Sequence, residues 1–287
     1  MKLTLPEKLF QVILLLGLLL MCVTMTYPFL HQITLSLSAG APSLGVSLIP
    51  RDFSTGSYSE LFKTKEIWTA LSNSVFRTVV GTVLMLAIMS SAAYALSKKG
   101  LPHRTAITMF IVVTMFFSGG LLPSYMLIKS IGLFDTRWAL IIPSLINTFW
   151  LIIMRNFFME LSEEIEESAR IDGANDLRIF AQIVLPVSKP IMATMALFCA
   201  VMHWNAWFDA LMYAQKQDLI VLQTYLRRLI INQDESMIAT AMMSTAAPPK
   251  ESLKAAVLVF TTLPILVVYP FLQKHFTKGI LVGSVKG

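Results

Sequence analysis

Glu167-Ser-Ala-Arg-Ile-Asp-Gly-Ala-Asn-Asp-Leu-Arg-Ile-Phe-Ala-Gln-Ile-Val-Leu-Pro-Val-Ser-Lys-Pro190 lies between two long apolar segments. No other stretch between apolar runs reads as built for a protein partner rather than for lipid or water. Acid leads into it, with Glu160, Glu163, Glu164, Glu166 and Glu167 inside eight positions. Leu161, Ile165 and Ala169 recur every four residues and so line one face of a short helix. Gly173 can take the left-handed backbone that ends a helix, and Asn175 or Asp176 can cap the next. Leu177, Phe180 and Val184 form a second apolar stripe. Pro186 disfavours helical geometry at Leu185 and closes the unit. The spacing predicts two short amphipathic helices joined at a glycine, a knob over residues 160–189.

The rest of the chain reads as membrane. It is 55% hydrophobic and 14% charged, with a mean hydropathy of +0.67, where a soluble domain is about a quarter charged. About 20 mostly apolar residues cross the hydrocarbon layer. Six segments qualify: about 9–35, 73–97, 105–129, 138–158, 190–213 and 254–272. The expected fold is therefore all-α: a polytopic membrane protein, one transmembrane domain over 1–287, with six helices. Lys98, Lys99 and Arg104 crowd the second-to-third turn and Lys2 and Lys8 precede the first span, whereas the short 130–137 turn carries only Arg137. That bias places both termini, and the 160–189 loop, in the cytoplasm. Residues 36–67 and 214–253 become outer loops, the first with a short helix near Tyr58–Phe62, and 273–287 a cytoplasmic tail. The first span lacks the small-residue site that would make it a cleavable signal.

Within that knob, Glu167-Ser168-Ala169, then Gly173, then Ile183-Val184-Leu185-Pro186 resembles the "EAA" loop of bacterial ABC importer permeases. The family pattern is Glu-Ala-Ala, three residues, Gly, nine residues, Ile-x-Leu-Pro, and Ser168 is the one departure. The resemblance implies that the loop docks into a cleft of an ATP-hydrolysing subunit and passes its movement to the membrane helices. Glu167, Ser168, Ala169, Asp172, Gly173, Ala174, Phe180, Leu185 and Pro186 are the coupling residues so implied. The likeness extends over nearly the whole chain. Pro50-Arg51-Asp52-Phe53-Ser54 is similar to a segment that precedes the second span in sugar-type permeases, and the turn Ile131–Thr136, followed by Trp138, resembles the same class. The ending resembles the smaller maltose-type permease subunit, in the branch associated with complex or acidic oligosaccharides. There the tail reaches between the ATPases, which here makes Gly279, Gly283 and Ser284 the expected contacts. The implied partners are a second homologous permease, two ABC ATPases, an extracytoplasmic solute-binding protein and the lipid bilayer of a bacterial cell membrane.

Span five carries the candidate translocation residues Trp204, Asn205, Phe208 and Asp209. Asn205 and Asp209 are four apart and share a helical face, and aromatic faces beside hydrogen-bonding groups suit sugar rings. The same residues equally suit helix packing and an interfacial aromatic belt. Arg77, at the outer start of span two, can snorkel to the headgroups. Pro264 and Pro270 are expected to kink the last span.

Other chemistries find no support. No Gly-x-x-x-x-Gly-Lys-Ser/Thr cradles ATP here, so ATP and magnesium belong to partner subunits and this chain binds no cofactor of its own. His31, His103, His203 and His275 are scattered, and Cys22 and Cys199 lie inside spans, so no metal site or disulfide framework emerges. The net charge of +6 is explained by juxtamembrane Lys and Arg facing anionic lipid, without nucleic acid. The rival reading is a secondary transporter driven by an ion gradient. That class favours midplane ionisable residues or broken helices in inverted repeats; only His203 comes near, and no repeat is visible.

Overall fold

The computed structural model describes residues 4–39, 49–231 and 249–284, the stretch from 269 by its backbone alone. Among those residues the regular structure is helical, apart from one isolated antiparallel bridge between Ser38 and Phe53. In chain order the helices are α1 (Leu5–Ser36), α2 (Gly56–Lys63), α3 (Lys65–Ser97), α4 (Arg104–Val113) and α5 (Leu121–Ser130). Two 3-10 turns at 137–144 then lead into α6 (Thr148–Met159) and α7 (Glu163–Ile171). They are followed by α8 (Asp176–Val187), α9 (Lys189–Asn205), α10 (Phe208–Tyr213), α11 (Leu222–Ile231) and α12 (Lys250–Ser284). Two compact units result, one of Met1–Lys65 with Leu226–Leu263, the other of Glu66–Tyr225 with Pro264–Gly287.

In the first unit, α1 is apolar along its length and bears no buried residue within its most hydrophobic window, so lipid or another chain must cover it. Beyond it, Ser36 Oγ and the Tyr58 hydroxyl lie 2.9 Å apart and tie the end of α1 to α2. Phe62 of α2 meets Phe260 edge-on at 5.4 Å.

Among the described residues three helices are long and apolar enough to span a membrane, or five if each of two bent helix pairs counts as one span. Within the predicted spans 105–129, 138–158 and 190–213 the helix is interrupted. The first gives way to α4 and α5 around Gly120, whose φ of +82° is left-handed backbone that an ordinary helix residue avoids. In the second, the 3-10 turns containing Pro143 meet α6 at 52°, and Asn147 caps the new helix by accepting from Trp150 N at 3.1 Å. The third breaks after Asn205, where Ala206 is extended. In the segment expected as a tail, α12 is helical through Ser284; Gly279 and Gly283 fall on that backbone, while Val285–Gly287 lie outside the described residues. Of the 214–253 loop, 214–231 is ordered and includes α11, and 232–248 lies outside the described residues.

The second unit is organised along α3. Near its start, Asn73 Nδ2 donates to the Asp218 and Ile220 carbonyls at 2.7 and 3.0 Å, and Ser74 Oγ accepts from Leu222 N at 2.8 Å. Asp135 Oδ1 accepts from Gln215 N at 2.6 Å, tying the 131–136 turn to the same chain segment. Near its far end, Met85, Met89, Ala93 and Tyr94 pack with Met154 and Phe158 of α6, Ile179 and Val184 of α8, and Met195 and Cys199 of α9. The 131–136 turn and the 215–222 segment thus gather at one end of α3, and the 98–103 turn and the knob at the other.

Candidate functional site

The knob is built by its own capping residues. Ser162 precedes α7, and the helix ends in a left-handed turn at Gly173, φ +80°. Gly173 N donates to the Arg170 carbonyl and Ala174 N to the Ala169 carbonyl, both at 3.0 Å, which closes the last turn of α7. Asn175 Oδ1 then accepts from Arg178 N at 2.9 Å and starts α8. Arg170 and Asp176 bridge the turn at 3.0 Å.

The two faces of this hairpin differ. Leu161, Ala169, Ala174 and Phe180 pack against the core cluster, with Ile179 and Val184 fully inside it. Glu167, Ser168, Asp172 and Gly173 face outward. Beside them, Ile171 is 87% and Leu177 78% exposed. Two predicted stripe positions are therefore corrected: Ile165 and Leu177 turn away from the core, and Ile179 takes the inward place in the second stripe. Pro186 does not end the unit either. Leu185 keeps helical angles, because 180–184 forms a π-turn. The wider turn relieves the clash that a proline ring makes with the carbonyl four residues back. The chain then bends by 83° into α9.

Contacts that sequence reading missed fix the inward face. Glu166 accepts a charged hydrogen bond from Lys98 and one from the Tyr94 hydroxyl at 3.3 Å. Lys98 Nζ also stands 4.0 Å from the centre of the Tyr94 ring. Tyr94 in turn stacks on Phe180 at 5.0 Å and meets Phe158 edge-on at 6.3 Å. Farther out, Lys99 pairs with Glu163 at 2.8 Å and holds that exposed carboxyl below its usual range, chiefly by hydrogen bonding and then by charge. A cleft of about 670 Å³ separates the 98–102 turn from the knob. The available signal was the match between adjacent lysines and glutamates three apart on a helix.

The structure does not gather the span-five candidates on one helical face. Trp204 is buried, whereas Asn205 and Phe208 are exposed and Asp209 lies beyond the break. Asn205 Nδ2 donates back to the Val201 carbonyl at 3.0 Å. Arg77 does not snorkel. It is buried, pairs with Asp209, and donates to the Ala206 carbonyl at 3.1 Å. In an unbroken helix that carbonyl would accept from Ala210 N, which here donates instead to Asp209 Oδ1 at 2.9 Å. The Arg–Asp pair thus satisfies the backbone groups that the break sets free.

The profile of the family described as binding-protein-dependent transport system inner membrane component matches residues 67–282. The chain belongs to this family. Its members are non-catalytic ABC permease subunits, embedded in the membrane, and ATP is hydrolysed by partner chains. This permease is 42% identical over 284 residues to the polygalacturonan/rhamnogalacturonan transport system permease protein YtcP of Bacillus subtilis (strain 168), covering 98% of this chain and 99% of the relative. It is 45% identical over 262 residues to protein LplC of the same organism, covering 91% and 89%. Among solved structures, a chain of a bacterial ABC transporter involved in the import of the acidic polysaccharide alginate matches the permease with a TM-score of 0.91. The two are 31% identical, with 96% of this chain and 99% of that chain covered.

Proposed function

We propose that this permease carries an acidic oligosaccharide, one bearing uronate groups, into a bacterial cell across its plasma membrane. Its complex holds a second homologous permease, two ABC ATPases that bind ATP and magnesium, and an extracytoplasmic solute-binding protein. The observation that carries the substrate class is the 42% identity to a polygalacturonan/rhamnogalacturonan permease over nearly the full length of both chains. The alginate importer points to the same chemistry, since both polymers present ring carboxylates.

The knob is the coupling element of this reading. Burying a large aliphatic side chain contributes about 1.5–3 kcal/mol, and Ile171 and Leu177 stand exposed on either side of the Gly173 turn. An ATPase cleft that closed over them would gain that energy and grip the knob where Glu167 and Asp172 add charge. Both termini and the knob are cytoplasmic, six spans cross the bilayer, and Asn205 and Phe208 face the route. The C-terminal segment with Gly279, Gly283 and Ser284 reaches the ATPase pair.

Proteoliposomes holding the complete complex provide the test. They are expected to accumulate labelled oligogalacturonide when ATP is inside and loaded binding protein outside, and to continue after a protonophore collapses the proton gradient. Uptake that ignored ATP but followed the gradient would overturn the importer reading. Uptake restricted to a neutral malto-oligosaccharide of equal length would overturn the substrate class.

A further inference from the structure

We infer that Lys98, Glu166 and Tyr94 form a clamp that fixes the knob to α3, making α3 the element that receives the knob's movement first. This rests on the coupling role proposed above and adds the route that the movement takes.

Covalently, the knob joins α6 and α9 only through interruptions of the helix. Three residues separate α6 from α7, and an 83° bend separates α8 from α9. Non-covalently, it belongs to α3. Of the five glutamates at 160–167, Glu166 is the one that bonds to α3 and the residue next to its end, and its side chain is only 13% exposed. Lys98 lies one residue past the last turn of α3, so the ion pair grips the helix at its tip. Tyr94, one turn earlier, simultaneously touches α6 through Phe158, α7 through Glu166 and α8 through Phe180. Ile179 and Val184 seal the contact below. A force on the exposed face at Ile171 and Leu177 therefore crosses the hairpin into α3.

The other end of α3 makes that delivery useful. The helix is unbroken over 33 residues, about 50 Å at 1.5 Å per residue. Its far end holds Arg77 on Asp209 and Ala206 at the span-five break, and Asn73 and Ser74 on the 218–222 segment. A shift of α3 at the knob must then act on the break that separates Asn205 from Phe208.

Charge reversal in the full complex tests the clamp, with assembly, stimulated ATP hydrolysis and uptake measured on one preparation. Lys98→Glu and Glu166→Lys are each expected to assemble and hydrolyse ATP, yet to lose about tenfold in sugar moved per ATP, within the range of ordinary coupling energies. The double swap Lys98→Glu/Glu166→Lys is expected to recover most of the loss, because it restores the ion pair. Wild-type transport per ATP in both single variants would overturn the clamp, as would a double swap no better than the singles. Should the singles fail to assemble, Lys98→Cys/Glu166→Cys joined by a short bis-maleimide decides. A clamp that stays closed transports when locked, so loss of uptake upon joining overturns it. Glu167→Lys serves as the control: normal uptake there sinks the coupling reading itself, whereas defects there with normal Lys98 and Glu166 variants sink only the clamp.

Discussion

Gly173 shows how far one residue can decide the knob. Its φ of +80° places it where L side chains are strained, but nothing lies within 4 Å of an added Cβ. The constraint is backbone conformation alone. Gly173→Asn, which tolerates the left-handed region, is therefore expected to keep uptake, and Gly173→Pro, locked near −65°, to abolish it with membrane insertion intact. Glu167→Lys is expected to do the same by reversing charge on the docking face. Equal uptake by the asparagine and proline variants, measured at matched membrane levels, would remove the turn from the mechanism. Arg77 makes the opposite case, a residue whose partners matter more than its backbone. Removing one member of a buried ion pair costs on the order of 3 kcal/mol, lessened here because Asp209 keeps partial exposure. Arg77→Ala should lower the melting temperature of the purified complex, and Arg77→Leu/Asp209→Leu should restore part of it. An Arg77→Ala complex melting like wild type would show that the break holds without the pair.

At the scale of elements, legibility follows the distance over which a feature is determined. The knob was readable because its caps are local: Gly173 bonds to Arg170, and Asn175 to Arg178, three residues away. Which side of α8 faces inward was not, because Ile179 rather than Leu177 is chosen by the distant core around Tyr94. The span breaks carried local signs at Gly120, Pro143 and Asn147, but a continuous apolar run masked them. The break after Asn205 had no such sign; its stabilising partner Arg77 lies 129 residues from Ala206. That break also sharpens what span five can do. Trp204 is buried and lines an apolar cavity of about 230 Å³ with Thr78 and Ala200, whereas Asn205 is exposed. Trp204→Ala is therefore expected to destabilise the fold by about 3–5 kcal/mol of lost packing. Asn205→Ala should leave assembly intact and change the uptake rate. If Asn205→Ala transports at the wild-type rate, the sugar's contacts lie elsewhere.

For the whole molecule, the open matter is how a force-receiving end is told that the ATPases have closed. In the proposed reading two structures would serve, the knob, which meets α3 through Glu166, Lys98 and Tyr94, and the C-terminal segment. The second has a useful feature. A frayed, glycine-rich end would sense nothing, whereas the helical backbone of α12 continues through Ser284 despite Gly279 and Gly283. Each glycine inside a helix costs roughly 1 kcal/mol relative to alanine, so a helix of that sequence gains from an external contact that holds it. An ATPase pair closing on it would supply one, and the helix would transmit the event along its length. Removing 277–287 is therefore expected to preserve insertion and subunit assembly but to change basal ATP hydrolysis or erase its stimulation by loaded binding protein. A cysteine at Ser284 should cross-link to an ATPase subunit, more efficiently with ATP bound than without. Truncation that leaves uptake and stimulated hydrolysis both at wild-type levels would leave the knob as the chain's sole site of coupling.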